Sequence, residues 1–126
     1  MQSLNVRKFT GYAALAAIIN SIIFLVGRGA DATMVVNQGG SQEIALPMVL
    51  ASTLFGLVIA AFIASRIGKK SQGFLSKSPM IGLAFGIVTA AAPFSASDDS
   101  KTAMALASMH VVAGVTGYFG SKRSIK

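Results

Sequence analysis

The chain has 126 residues, of which 53% are hydrophobic and only 12% charged, with no cysteine and no tryptophan. A soluble domain carries about a quarter charged residues, so this composition points to a membrane protein. Without cysteine, disulfides, thiolate catalysis, iron–sulfur clusters and Cys-ligated zinc are all excluded.

Four apolar blocks follow one another, at about residues 9–28, 45–67, 79–96 and 100–120. Each is close to the ~20 residues a helix needs to cross a bilayer core. With their connections they use up the chain and leave no room for a soluble catalytic domain. Residues 1–126 therefore read as a single membrane domain. The fold class expected is an all-α membrane protein, a bundle of four antiparallel transmembrane helices.

The first block, GYAALAAIINSIIFLV, stops at Gly27-Arg28-Gly29. Its basic start and the small residues ending at Ala32 resemble a signal peptide. The apolar run is longer than the about 7–15 residues usual there, and it reads as a retained helix. Arg28 reads as a stop-transfer charge that snorkels to the interface; the alternative is a partner for Asp31 or for a substrate anion. In the following loop, Asn37-Gln38-Gly39-Gly40-Ser41 is rich in turn formers and suits a short hairpin or an interfacial flap. The second block opens near Pro47, where a missing N–H costs nothing, and ends at Gly68-Lys69-Lys70. The third is expected to open at Ser78-Pro79, an N-cap followed by proline at the first helical position. It should end around Pro93, which cannot continue the hydrogen-bond ladder. The fourth opens at Ser97-Asp98-Asp99, with Ser as cap and two carboxylates at the positive end of the helix dipole.

The net charge of +7 is divided unevenly. Arg7, Lys8, Arg66, Lys69, Lys70, Lys77, Lys122, Arg123 and Lys126 lie in the tails and the second connection, with no acid among them. All four acids, Asp31, Glu43, Asp98 and Asp99, lie in the first and third connections, with Arg28 and Lys101. The positive-inside rule then makes both termini cytoplasmic. The basic excess is a topology signal rather than a nucleic-acid footprint. Arg66, Lys69, Lys70, Lys122 and Arg123 are the expected contacts to anionic lipid headgroups.

Helices in lipid associate through small residues that allow close approach, and through interhelical hydrogen bonds. The second block offers Ser52, Gly56, Ala60 and Ala64 at every fourth position, and the third Gly82, Gly86 and Ala90. The fourth carries Ala103, Ala107, His110, Gly114 and Gly117 with a period near 3.5, which puts His110 on a packing face. His110 lies about nine residues, or roughly 13 Å, into its helix. Asn20, Ser52 and Thr89 reach similar or more outward levels. These four form a candidate intramembrane polar site, opening towards an outer acidic rim of Asp98, Asp99, Asp31 and Glu43. The plain reading is a neutral His110 hydrogen-bonded to Asn20 or a Thr, locking two helices. The sharper one is a proton or ligand site. For Asp98 and Asp99, capping and solvation suffice.

No Walker loop, H-E-x-x-H or nucleophile elbow is present, so no enzyme activity is expected. One chain supplies one of the two imidazoles a haem normally takes, so haem would need a dimer to share it, and the carboxylates lie about a dozen residues away along a rigid helix, too far to share a metal with His110. No cofactor and no metal are therefore expected.

GYAALAAIINSIIFLVGR, FGLVIAAFIASR and AAPFSASDDSKTAMALASMHVVAGV resemble a bacterial family of small four-span membrane proteins, a domain of unknown function. The resemblance spans most of the chain and implies the fold and a bacterial cytoplasmic membrane, but no activity or catalytic residue. The expected function is a non-catalytic accessory or structural subunit of a larger membrane complex. Its partners would be the lipid bilayer and other membrane subunits, or itself, through the small-residue faces, and not nucleic acid. The alternative is a small transporter or channel that acts as an oligomer, since four helices leave little room for a substrate.

Overall fold

The computed structural model describes residues 1–126. Helix α1 runs Val6–Gly29, and the Asn5 side chain caps it by accepting from the Lys8 backbone N–H at 3.1 Å. Strands β1 (Val35–Asn37) and β2 (Ser41–Glu43) form an antiparallel hairpin, with Val36 opposite Gln42. Its turn needs Gly39 and Gly40, whose φ values are 74° and 145°. Helix α2 spans Leu46–Lys70 with Pro47 in its first turn, as the sequence predicts.

Helix α3 departs from expectation. It starts at Gln72, capped by Ser71, and carries Pro79 in its interior. A proline there removes an N–H and frees the carbonyl four residues back, which is that of Leu75. The Ser78 hydroxyl donates to that carbonyl at 2.8 Å, so Ser78-Pro79 is a repaired break rather than a helix start. Helix α3 ends at Thr89, and Pro93 opens a separate short helix, α4 (Ala92–Ala96). Helix α5 runs Ser100–Ser124, and its cap is Asp99 rather than Ser97.

The chain is thus nearly all α. The four long segments, with α3 and α4 taken together as one, are each long and apolar enough to cross a membrane. Large apolar side chains point outward, among them Ile18, Ile22, Phe55, Ile59, Phe85 and Val88, while residues as small as Ala13, Ala16 and Ala17 are buried. That inversion suits lipid, where close backbone approach rather than apolar burial holds helices together. Gly86 and Gly114 make the tightest crossing: a methyl on Gly86 would lie 2.6 Å from the Gly114 Cα and 2.9 Å from the His110 carbonyl oxygen.

Around the bundle the order is α2, α1, α5, α3. Helix α1 packs along both α2 and α5, and α3 packs along α5, whereas α2 and α3 touch far less. They meet at their connection, where Leu75 sits against Gly68. Both termini lie at this same end. Ser3 and Lys126 exchange two backbone hydrogen bonds of 2.8 and 3.0 Å, and the Gln72 amide donates to the Gln2 carbonyl at 2.9 Å. The nine tail and second-connection cations therefore share one end of the molecule, and the hairpin and all four acids the other.

Candidate functional site

Because α2 and α3 diverge, a groove of about 740 Å³ opens between them, with α5 along its floor. Its wall on α2 runs from Met48 to Ala64, about 24 Å at 1.5 Å per residue. The predicted packing stripe Ser52, Gly56, Ala60 and Ala64 lines this groove. It is not covered by another helix of the chain: Ser52, Gly56 and Ala60 are exposed, and a methyl on Gly56 or on Gly82 would meet nothing within 4 Å. One protomer therefore has room that the expected compact bundle lacks.

All four residues of the expected polar site line the groove, but only Thr89 and His110 pair with each other; Asn20 bonds elsewhere and Ser52 stands alone. Buried Asn20 on α1 donates from Nδ2 to the Thr53 hydroxyl at 3.1 Å and to the Met109 carbonyl at 3.4 Å. Its Oδ1 is buried and has no hydrogen-bond partner. Thr89 at the end of α3 pairs with His110 Nδ1 on α5 at 3.3 Å. The sequence reading offered His110 either Asn20 or a Thr, and the partner is Thr89. Ser52 bonds only within its own helix, to the Val49 carbonyl at 3.4 Å.

His110 is exposed on the groove side rather than buried in a packing face, which corrects the 3.5-period reading. The cause is the Gly86–Gly114 crossing. With the two backbones so close, no ring fits between them, and the imidazole turns out to the rim. Met109, one residue earlier, is buried instead, with Phe24, Ala32, Met34, Val49 and Ala105. This apolar cluster lies between Asn20 and the hairpin. It corrects the expected cleft opening to the acidic end, because at Asn20 the route is sideways, between α2 and α3.

The acidic residues do not form an open rim. Asp99 is consumed by hydrogen bonds: from the Thr33 N–H at 2.8 Å, the Thr102 hydroxyl at 2.7 Å and the Lys101 N–H at 3.2 Å. These donors, the Thr33 N–H first and the Thr102 hydroxyl next, lower its pKa from 3.8 to about 2. Thr102 also accepts from the Met34 N–H at 2.9 Å, the Ser97 hydroxyl donates to the Val35 carbonyl at 2.9 Å, and Lys101 Nζ donates to the Ala30 carbonyl at 2.8 Å. Together they latch the hairpin over the bundle and hold Met34, fully buried, at the left-handed φ of 55°. Asp98 accepts from Asn37 at 3.5 Å, and Glu43 pairs with Arg28 at 3.7 Å, so Arg28 finds Glu43 rather than Asp31. Asp31 is exposed and also sits at a left-handed φ, 68°. No three His, Asp or Glu side chains come together as a metal site.

At the other end, Arg66 lies 5.0 Å over the Phe62 ring and Lys122 5.6 Å over the Tyr118 ring. Lys69, Lys70 and Arg123 are exposed there. The latch residues Thr33, Ser97, Lys101 and Thr102 were missed by sequence reasoning. The only local signal was Thr102 three positions after the capping Asp99, a spacing at which the two side chains meet.

A family model matches residues 3–126 of this chain. The chain belongs to the family of unknown function DUF6069. The matched stretch includes the hairpin and all the residues that line the groove. No curated protein and no solved structure matches the chain.

Proposed function

We propose that this DUF6069 protein is a non-catalytic accessory subunit of a larger membrane complex, seated in a bacterial cytoplasmic membrane with both termini cytoplasmic. One observation carries the subunit reading: the small-residue face of α2, Ser52, Gly56, Ala60 and Ala64, faces an unfilled groove instead of a helix of its own chain. Such faces are how membrane helices approach one another. The sidedness rests on the nine cations gathered at the end that holds both termini. Arg66, Lys69, Lys122 and Arg123 would there meet anionic headgroups, with Lys70 beside them at the mouth of the groove.

A second reading, an oligomeric transporter, is favoured by Ser52, Thr89 and His110 all lining the same groove. Native mass spectrometry of the protein, extracted gently from its own membranes, separates the two. The subunit reading expects other polypeptides in the assembly. A homo-oligomer of bare 12.9 kDa chains would overturn it in favour of transport.

A further inference from the structure

We propose that the α2–α3 groove seats one membrane-spanning helix of another polypeptide, which carries a hydrogen-bond donor beside Asn20 and an acidic residue beside Lys70 and Lys77. This rests on the subunit reading and names the chemistry of the partner. The groove walls set the kind of occupant. Its length, about 24 Å along α2, is close to a full bilayer core of about 30 Å, more than the half that a lipid tail of one leaflet spans. Its small residues recur every fourth position, the spacing that lets a helix backbone approach closely.

Two features set the occupant's chemistry. Asn20 is 2% exposed and lines the groove, and its Oδ1 has no donor. The amide is oriented by its two acceptors: Nδ2 faces the Thr53 hydroxyl at 3.1 Å and the Met109 carbonyl at 3.4 Å. An acceptor left unmet in hydrocarbon calls for a donor from the missing neighbour. At the other end of the groove stand cations with no acid of their own: the chain's one ion pair, Arg28–Glu43, is at the far end. Lys70 follows groove-lining Ile63 by two helical turns, and Lys77 lies between groove-lining Phe74 and Ile81 on α3, so both flank the mouth. Charge complementarity then asks for Asp or Glu on the incoming helix. Along α2, Thr53, which Asn20 contacts, and Lys70 are 17 residues apart, about 26 Å. The donor and the acid on the partner should be separated by about as many residues.

The test uses the full chain in phosphatidylcholine vesicles, labelled at an introduced Ser76→Cys, with synthetic transmembrane peptides as probes and energy transfer as readout. One Leu/Ala peptide carries Gln at the Asn20 level and Glu at the basic end; the others replace Gln by Leu, Glu by Lys, or both. The Gln/Glu peptide is expected to bind at least about tenfold tighter than the Leu/Lys peptide. Gly56→Leu fills open space, so it should leave the fold intact and abolish that binding. Lys70→Glu with Lys77→Glu should reverse the flank preference. Equal binding of all peptides, or binding that survives Gly56→Leu, overturns the proposal. So does a groove that holds phospholipid in native mass spectra and releases none of it to the Gln/Glu peptide. These failures leave the subunit reading standing if native assemblies still contain other polypeptides; bare chains there would remove that reading by itself.

Discussion

Replacing Gly86 by alanine tests the crossing that organises the site. The added methyl would fall 2.6 Å from the Gly114 Cα, 2.9 Å from its nitrogen and 2.9 Å from the His110 carbonyl oxygen. All three are backbone atoms of α5, so no side-chain rotation relieves the clash. Ordinary contact needs about 3.5–4 Å, so α3 must move out by roughly 1 Å along its main packing partner. Overpacking of this kind costs typically about 1–3 kcal/mol, and a backbone clash belongs at the upper end. About 2–3 kcal/mol is roughly a 30- to 150-fold shift in the folding equilibrium. The assay is reversible unfolding in mixed micelles by SDS titration. Gly56→Ala and Gly82→Ala are the controls, since their methyls meet nothing within 4 Å, and both should unfold within about 0.5 kcal/mol of the wild type. A Gly86→Ala protein as stable as the wild type would refute the close crossing, and with it the reason given for turning His110 to the rim. Equal destabilisation by all three would refute the open groove.

Three further outcomes follow from the same geometry. Asp99 titrates lower in the folded chain than its ordinary 3.8, at about 2. The stability it lends is therefore present above about pH 4 and lost as pH falls towards 2; amide exchange at Thr33 and Met34 should speed up through that window, and Asp99→Asn should raise it at neutral pH. Ser78→Ala leaves the Leu75 carbonyl unmet beneath Pro79 and should cost about 1 kcal/mol or more, whereas in a Pro79→Ala background the same change should cost little, as a double-mutant cycle in micelles will read. Cysteines introduced at Ser3 and at Ser41 should label from opposite faces of sealed vesicles, Ser3 from the cytoplasmic one; same-side labelling would refute the antiparallel four-span arrangement.

The span count, the antiparallel order and the hairpin turn at Gly39-Gly40 were legible in the sequence, because block length, charge distribution and turn formers are local signals. The start of α3 was not. Ser-Pro has the same letters whether it opens a helix or interrupts one, and only the Ser78–Leu75 hydrogen bond decides between the two. The groove was also hidden. A stripe of small residues gives the same pattern whether its partner is in the same chain, as for Gly86 on Gly114, or missing, as for Gly56. The candidate polar residues were found by type, yet their pairing depends on helix rotation, which a period near 3.5 constrains too weakly to separate His110 from Met109. The Asp99 latch joins segments 66 residues apart, and nothing short-range announces it.

Photocrosslinking in the native membrane reads out what occupies the α2–α3 groove. A benzophenone amino acid is placed at Ala60, in the groove, and at Ile22, exposed on α1 outside it. A discrete adduct with one other polypeptide is expected from Ala60, lost in the Gly56→Leu background, and only lipid adducts from Ile22. Lipid adducts from both positions would contradict the proposal.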